Sequence, residues 1–358
     1  MFLDGLRGVA AILVLLLHWL DGHGISAFGS SILAVDFFFI LSGFVIAYSY
    51  EEKLRRGRED VPFLRLRIIR LYPLLLLGIF IGFVRGAVLL FEKTGQFFDN
   101  QLALELVGSL FMVPDDFSRM SLFFPLNTPL WSLHFEIIAY AAFYFFLHKA
   151  QNWQLSVIAL AGLAGCSVWA ISAFGMAPEN IALDERYAGY VHGFSRVSLS
   201  FVAGILIFRF GQTISRLRLP SGMWLTALLF PLVLPKAWLY PSAALALLVV
   251  VFPYVITAGM QVTLEGRTKR IATALGDLSY PLYIIHVPVI WIMSGLLKRT
   301  PFGFDDYAYN GIFILPATVA LSYLVFLCYD RPVRKYLRSL MIRGPGRTGG
   351  IGDRTRPA

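Results

Sequence analysis

Apolar runs long enough to cross a bilayer recur along the whole chain, broken by short polar stretches and by Gly and Pro. A spanning helix needs about 20 predominantly apolar residues. On that measure ten spans are predicted, at 6–22, 31–49, 66–91, 130–148, 154–175, 194–209, 222–235, 239–261, 279–298 and 309–328. Pro231, Pro235, Pro253 and Pro316 are expected to kink or end helices where neighbours satisfy the freed carbonyls. The apolar segment 102–113 is too short to span and carries Glu105, so it is expected to be an interfacial or re-entrant helix. In the third span Gly78, Gly82 and Gly86 recur at every fourth position, the pattern of a close helix-packing face.

The fold class that follows is an all-α polytopic membrane protein with about ten transmembrane helices. Charge orients it. With both termini cytoplasmic, 23 of the 31 Lys and Arg residues fall on the inner side. Counting 102–113 as a further span would move the basic loops at 209–218 and 267–270, and the basic tail, to the outside, against the positive-inside rule. Residues 1–330 therefore read as one transmembrane domain. Residues 331–358 read as a basic cytoplasmic tail, whose Gly/Pro/Arg-rich end from Arg343 has the composition of a disordered segment.

Composition narrows the class further. Hydrophobic residues make up 57% of the 358, and charged residues only 15%, against about 25% in soluble domains. The net charge of +9 belongs to loops at a membrane surface, so lipid is an expected partner and nucleic acid is not. Cys166 and Cys328 both sit in apolar runs, with no disulfide framework or metal-ligand spacing. No metal and no bound cofactor are expected. The first apolar run lacks a small-residue cleavage site and reads as a retained helix.

Ionisable side chains inside spans cost several kcal/mol and point to function. Arg7 and His18 are eleven residues apart, which puts both on one helix face about 16 Å apart along the axis. Arg7 alone reads equally well as a positive-inside anchor, and His18 alone as a packing histidine; the pair on one face reads as a polar track. Asp36 lies at a depth approaching that of His18, where a carboxylate orients an imidazole or simply faces a helix N-terminus. Arg67 and Arg70, three apart, share a face at the start of the third span; they suit phosphate, and equally suit lipid headgroups. Glu136 sits in an aromatic span and needs a partner, with Arg196 or the His18 region as candidates. Tyr283 and His286, three apart, share another face, although an interfacial tyrosine is a common membrane anchor.

Six stretches in this order are similar to one known pattern: LDGLRGVAAILVLLLHW with its Arg-x10-His, VDFFFILSGF, RIIRLYP with its Arg-x-x-Arg, WSLHFE, SRVSLSFVAG and LSYPLYIIH. The chain resembles the acyltransferase-3 family, the bacterial membrane-bound acyltransferases of polysaccharides, lipid-linked sugars and some antibiotics. The similarity runs from residue 3 to about 330. Ala34 stands where the family usually has Gly, and Ile285 is unusual before His286.

The resemblance implies acyl transfer from cytoplasmic acyl-CoA, acetyl-CoA by default, to an acceptor hydroxyl on a surface polysaccharide, lipid-linked sugar or related glycoside. It implies a multi-pass protein of the bacterial inner membrane and leaves a homo-oligomer open. His18 is implied as the catalytic histidine, with Arg7, Arg67 and Arg70 handling the donor. Trp131, Ser132, Arg196, Tyr283 and His286 are further site candidates because they lie in matching motifs. A neutral imidazole suits the deprotonation of a sugar hydroxyl, with Asp36 or Glu136 expected to orient it. The soluble hydrolase-like domain fused to some relatives is not in this sequence, so the membrane unit is expected to carry the activity alone. The competing class is a proton-coupled exporter of a sugar or lipid intermediate, which buried Arg, His, Asp and Glu would also serve.

Overall fold

The computed structural model describes residues 2–25, 29–57, 62–114, 123–173, 185–214, 232–233, 245–299 and 307–342. Among them the secondary structure is entirely helical. In chain order the helices are α1 (Phe2–Asp21), α2 (Ala34–Arg55), α3 (Phe63–Thr94), α4 (Asn100–Leu110), α5 (Leu130–Ala142), α6 (Asn152–Ala173), α7 (Glu185–Ile214), α8 (Phe252–Gly259), α9 (Gly266–Lys298), α10 (Tyr307–Val325) and α11 (Arg331–Ile342). Single π-turns prolong α5 (Phe143–Leu147), lead into α8 (Leu247–Val251) and join α10 to α11 (Phe326–Asp330).

Seven helices among the described residues are long and apolar enough to cross a membrane: Phe2–Asp21, Ser31–Arg55, Phe63–Thr94, Leu130–Leu147, Gly189–Gly211, Gly266–Leu297 and Gly311–Leu340. The chain is a multi-pass helical membrane protein. Of the other expected spans, 154–175 coincides with α6, and 239–261 contains the shorter apolar helix Leu247–Gly259. The span at 222–235 lies outside the described residues apart from Leu232 and Val233. So do Pro231, Pro235 and the tail from Arg343. Pro253 opens α8 and Pro316 lies within α10. Helix α4 has eleven residues, about 16 Å of rise, half a hydrocarbon core of about 30 Å.

Helix α9 begins thirteen residues before the expected start of its span. Its first turns, GRTKRIATALGD, are too polar to register as an apolar run, although their Arg, Lys, Ala and Leu residues favour helix. Hydropathy reports the immersed part of a helix, not its full length.

Close backbone contacts set the packing. Helix α1 packs chiefly on α9, and α7 is flanked by α2 and α6. A Cβ on Gly43 of α2 would lie 2.0 Å from the Phe201 carbonyl oxygen of α7, and one on Gly204 of α7 would lie 2.1 Å from the Ile40 oxygen. Any side chain at either place would drive the two helices apart. The stripe expected on α3 is a packing face: a Cβ on Gly82 would meet the Leu126 oxygen at 1.9 Å, and one on Gly78 would meet Asn127 and Ile284. Asn127 in turn donates to the Ile284 carbonyl of α9 at 2.9 Å. The segment before α5 is thereby clamped between α3 and α9.

Candidate active site

Five helices converge on a cavity of about 680 Å³, its open mouth included. Arg7 comes from α1, Arg67 and Arg70 from α3, Glu136 from α5 and Tyr280 from α9, while α2 supplies a largely apolar wall. Arg65, between the helical positions that face inward, is exposed, as a lipid-facing anchor would be. Hydroxyls fix the frame. Tyr280 donates to the Leu71 carbonyl at 2.7 Å, and Tyr329 donates to that of Pro73 at 3.1 Å. Both bonds hold the first turns of α3, and so its arginines, against α9 and the α10–α11 junction.

Arg7, Arg67 and Arg70 form no ion pair or hydrogen bond with any described residue. Arg67 instead lies over the rings of Tyr50, Phe63 and Tyr140, at 5.1, 5.7 and 5.8 Å, and its buried Nε has no partner. Cation–π contacts offset part of the desolvation of a guanidinium but leave its N–H donors unused. Three arginines around one partly enclosed space have the charge and donor geometry that suit an anion with several oxygens.

A second cavity of about 840 Å³ shares Arg7, Arg70, Ser279 and Tyr280 with the first. It adds Arg334 and Arg338 of α11, and Asp4 and Asp277 also line it. Asp330, fully buried, makes an ion pair with Arg334. Sequence reasoning counted Arg334 and Arg338 only as part of a basic tail. Their i, i+4 spacing on an amphipathic helix was the signal for a shared face.

The other end of the cavity is closed by hydroxyls and rings. Ser132 donates to the Pro129 carbonyl at 3.0 Å, which leaves Tyr283 as donor in the 2.6 Å bond between the Tyr283 and Ser132 hydroxyls. Phe38 meets Tyr283 edge-on at 5.8 Å. Beyond Tyr283 lies His286, with ring centroids 6.0 Å apart, and His18 lies 5.2 Å from His286. Arg7 and His18 thus both face α9, as their spacing requires, but Arg7 lines the cavity and His18 stands two rings past its end.

The carboxylates differ from expectation. Asp36 accepts from Arg196 at 3.1 and 2.5 Å and from Ser200 at 3.4 Å, and is fully buried. Arg196 also donates to the Ile32 carbonyl at 3.0 Å and lies 5.1 Å from the Trp131 ring. Glu136 accepts from Ser42 at 2.7 Å and from Tyr140. Neither carboxylate is hydrogen-bonded to His18, and Glu136 does not pair with Arg196. The reason lies in neighbourhood: α2 packs directly on α7, so the carboxylate of α2 captures the arginine of α7, while Glu136 finds a tyrosine one turn along its own helix. Among the described residues no group of His, Cys, Asp or Glu is placed to hold a metal ion.

A family model described as an acyltransferase domain, that of the acyltransferase-3 family, matches residues 2–327. The chain belongs to this family. It is therefore a membrane-embedded O-acyltransferase. The relatives include protein 2 in the picA locus of Rhizobium radiobacter, 37% identical over 153 residues, which are 39% of this chain and 78% of that protein. The exopolysaccharide production protein ExoZ of Rhizobium meliloti (strain 1021) is 28% identical over 277 residues, 73% of this chain and 77% of that protein. Acyltransferase MdmB of Streptomyces mycarofaciens is 27% identical over 325 residues, 80% of this chain and 78% of that protein. No solved structure matches the chain.

Proposed function

We propose that this acyltransferase takes its acyl group, acetyl by default, from cytoplasmic acyl-CoA and delivers it to a hydroxyl of a surface polysaccharide, lipid-linked sugar or related glycoside. The observation that carries the donor assignment is the trio Arg7, Arg67 and Arg70, which line one cavity without a carboxylate partner. The phosphates of CoA supply the missing charge. The widening toward Arg334 and Arg338 gives the nucleotide end a basic mouth. The pantetheine arm then follows the apolar α2 wall toward Ser132 and Tyr283. The axial distance from Arg7 to His18, about 16 Å, is of the order of that arm's length.

His18 acts in this reading as general base. It takes the proton of the acceptor hydroxyl as the oxygen attacks the thioester carbonyl, and the CoA thiolate leaves. The enzyme sits in the bacterial cytoplasmic membrane with ten spans, both termini inside and α4 at the outer surface. The name of the exopolysaccharide production protein ExoZ is consistent with a sugar-bearing acceptor.

The test is His18→Gln, which keeps hydrogen-bonding capacity but cannot accept a proton. In a deletion strain complemented with this variant, surface-glycan masses should lack the acyl increment that the wild-type gene restores. Loss of a general base costs about 10²–10⁴ in rate. A variant that is folded, binds acetyl-CoA and still acylates at the wild-type level rules the assignment out.

A further inference from the structure

Six hydroxyl side chains line the first cavity, those of Ser42, Ser132, Tyr140, Ser279, Tyr280 and Tyr283. Five of them donate to acceptors that have no proton to give back. Tyr280 donates to the Leu71 carbonyl and Ser279 to the Gly276 carbonyl, each at 2.7 Å. Ser42 and Tyr140 donate to Glu136. Ser132 donates to the Pro129 carbonyl at 3.0 Å. Tyr283 alone donates to another hydroxyl, that of Ser132 at 2.6 Å. A hydroxyl both donates and accepts, so this one bond can reverse.

Reversal needs the rotation of two O–H groups and no movement of a heavy atom. Ser132 then donates to the Tyr283 oxygen across the same 2.6 Å, and the Tyr283 proton is released to the cavity. What is given up is the 3.0 Å bond to Pro129, the longer of the two. The place of the pair matters as much as its chemistry. It closes the end of the cavity remote from the arginines, on the side of the histidines, with the Tyr283 and His286 ring centroids 6.0 Å apart. Phe38, edge-on to Tyr283 at 5.8 Å, holds the ring in place. Phe38, Phe39 and Leu133 are apolar lining beside the two hydroxyls, and in such surroundings a hydrogen bond to developing charge is strong.

We propose that Tyr283 is a catalytic residue, the donor that binds the thioester carbonyl oxygen of the acyl donor, and that Ser132 is its positioning residue. The inference rests on the acyl-CoA reading of the cavity and not on the identity of the base. As the acceptor oxygen bonds to the thioester carbon, the carbonyl π pair moves onto oxygen, and the Tyr283 O–H donates to the oxyanion so formed. When that pair returns, the C–S bond breaks and its electrons leave with the CoA sulfur. The sulfur takes up the proton that the base removed from the acceptor. Tyr283 keeps its own proton throughout. Accepting from Ser132 makes the tyrosine a stronger donor, because hydrogen bonds in a chain polarise one another.

The test reads the bound carbonyl directly. The full chain in nanodiscs is loaded with acetyl-CoA carrying ¹³C at the carbonyl carbon, with no acceptor present, and the thioester stretch is followed by isotope-edited infrared spectroscopy. In the wild type it should lie at lower frequency than in Tyr283→Phe, which keeps the ring but has no proton to donate. Ser132→Ala should fall between the two, and Ser132→Thr, which keeps a hydroxyl, should return the wild-type frequency. In turnover, with membranes of the host strain as the acceptor source, Tyr283→Phe should lower kcat by about 10²–10³ with KM for acetyl-CoA unchanged. Equal frequencies in the wild type and Tyr283→Phe overturn the proposal, as does a wild-type kcat in that variant. A Ser132→Thr protein that matches alanine removes the positioning role of Ser132. Failure of the wild type to bind acetyl-CoA removes the donor reading and this inference with it, and shows as a missing bound band, not as an unshifted one.

Discussion

The hydroxyls of Ser132 and Tyr283 lie 2.6 Å apart and tie α5 to α9 at the end of the cavity remote from the arginines. Both residues are buried. Ser132→Ala strands the Tyr283 hydroxyl at a cost of about 1–3 kcal/mol, whereas Tyr283→Phe leaves Ser132 still bonded to Pro129 and costs about 1 kcal/mol. The double variant should lose less than the sum of the two. Thermal unfolding of the four proteins in detergent measures this, and additive losses would show that the hydroxyls do not act as a pair.

Asp36 and Arg196 should prove structural before they prove catalytic. Breaking a buried ion pair by removing one member costs about 3–5 kcal/mol. Asp36→Asn and Arg196→Ala are therefore expected to lower the yield of detergent-stable protein, with the surviving fraction close to wild type in specific activity. A well-folded Asp36→Asn protein that has lost turnover would restore a direct role for the carboxylate.

For Arg67 and Arg70 the expected outcome is a raised KM for acyl-CoA on replacement by Ala, because charge-assisted contacts are lost. Lysine should rescue Arg70 better than Arg67. The planar guanidinium of Arg67 lies among three aromatic rings, a geometry that an ammonium does not reproduce. Steady-state kinetics with acetyl-CoA separate this from a lipid-anchor role, which predicts an unchanged KM.

Topology follows from one pair of positions. Gln96, just after α3, and Gln151, just before α6, are both exposed. In a background of Cys166→Ala and Cys328→Ser, a cysteine at 96 should react with an impermeant maleimide added to intact cells. A cysteine at 151 should react only after permeabilisation. The opposite pattern inverts the protein and moves the arginine mouth to the outside.

What sequence could show is what lipid enforces. Apolar length revealed seven of the ten expected spans as long apolar helices among the described residues, because a helix in hydrocarbon must be long and apolar. The α3 glycines were legible because only a missing side chain allows the Gly82–Leu126 approach. Arg67 and Arg70 were legible as a face because helical spacing is local. Partners across helices were not. Periodicity gives depth and face but not which helix stands next to which, so Asp36, Glu136 and Arg196, at similar depths, were free to be paired wrongly. The Ser42–Glu136 bond joins positions 94 residues apart, and nothing local to either announces it. Tyr140, one turn from Glu136, was the legible part of that cluster.

The unpaired arginines have a consequence for the protein's life in the cell. Arg7, Arg67 and Arg70 line one cavity without an ion-pair partner among the described residues, so the anionic donor proposed above would also serve as a counter-ion of the fold. A ligand that binds only the folded state stabilises it by about 2.7 kcal/mol at a hundred times its Kd. Thermal shift with a panel of acyl-CoA thioesters would then rank donors without any knowledge of the acceptor. If the donor is an anionic thioester, a shrinking donor pool would leave a larger unliganded fraction of the enzyme open to quality-control proteases.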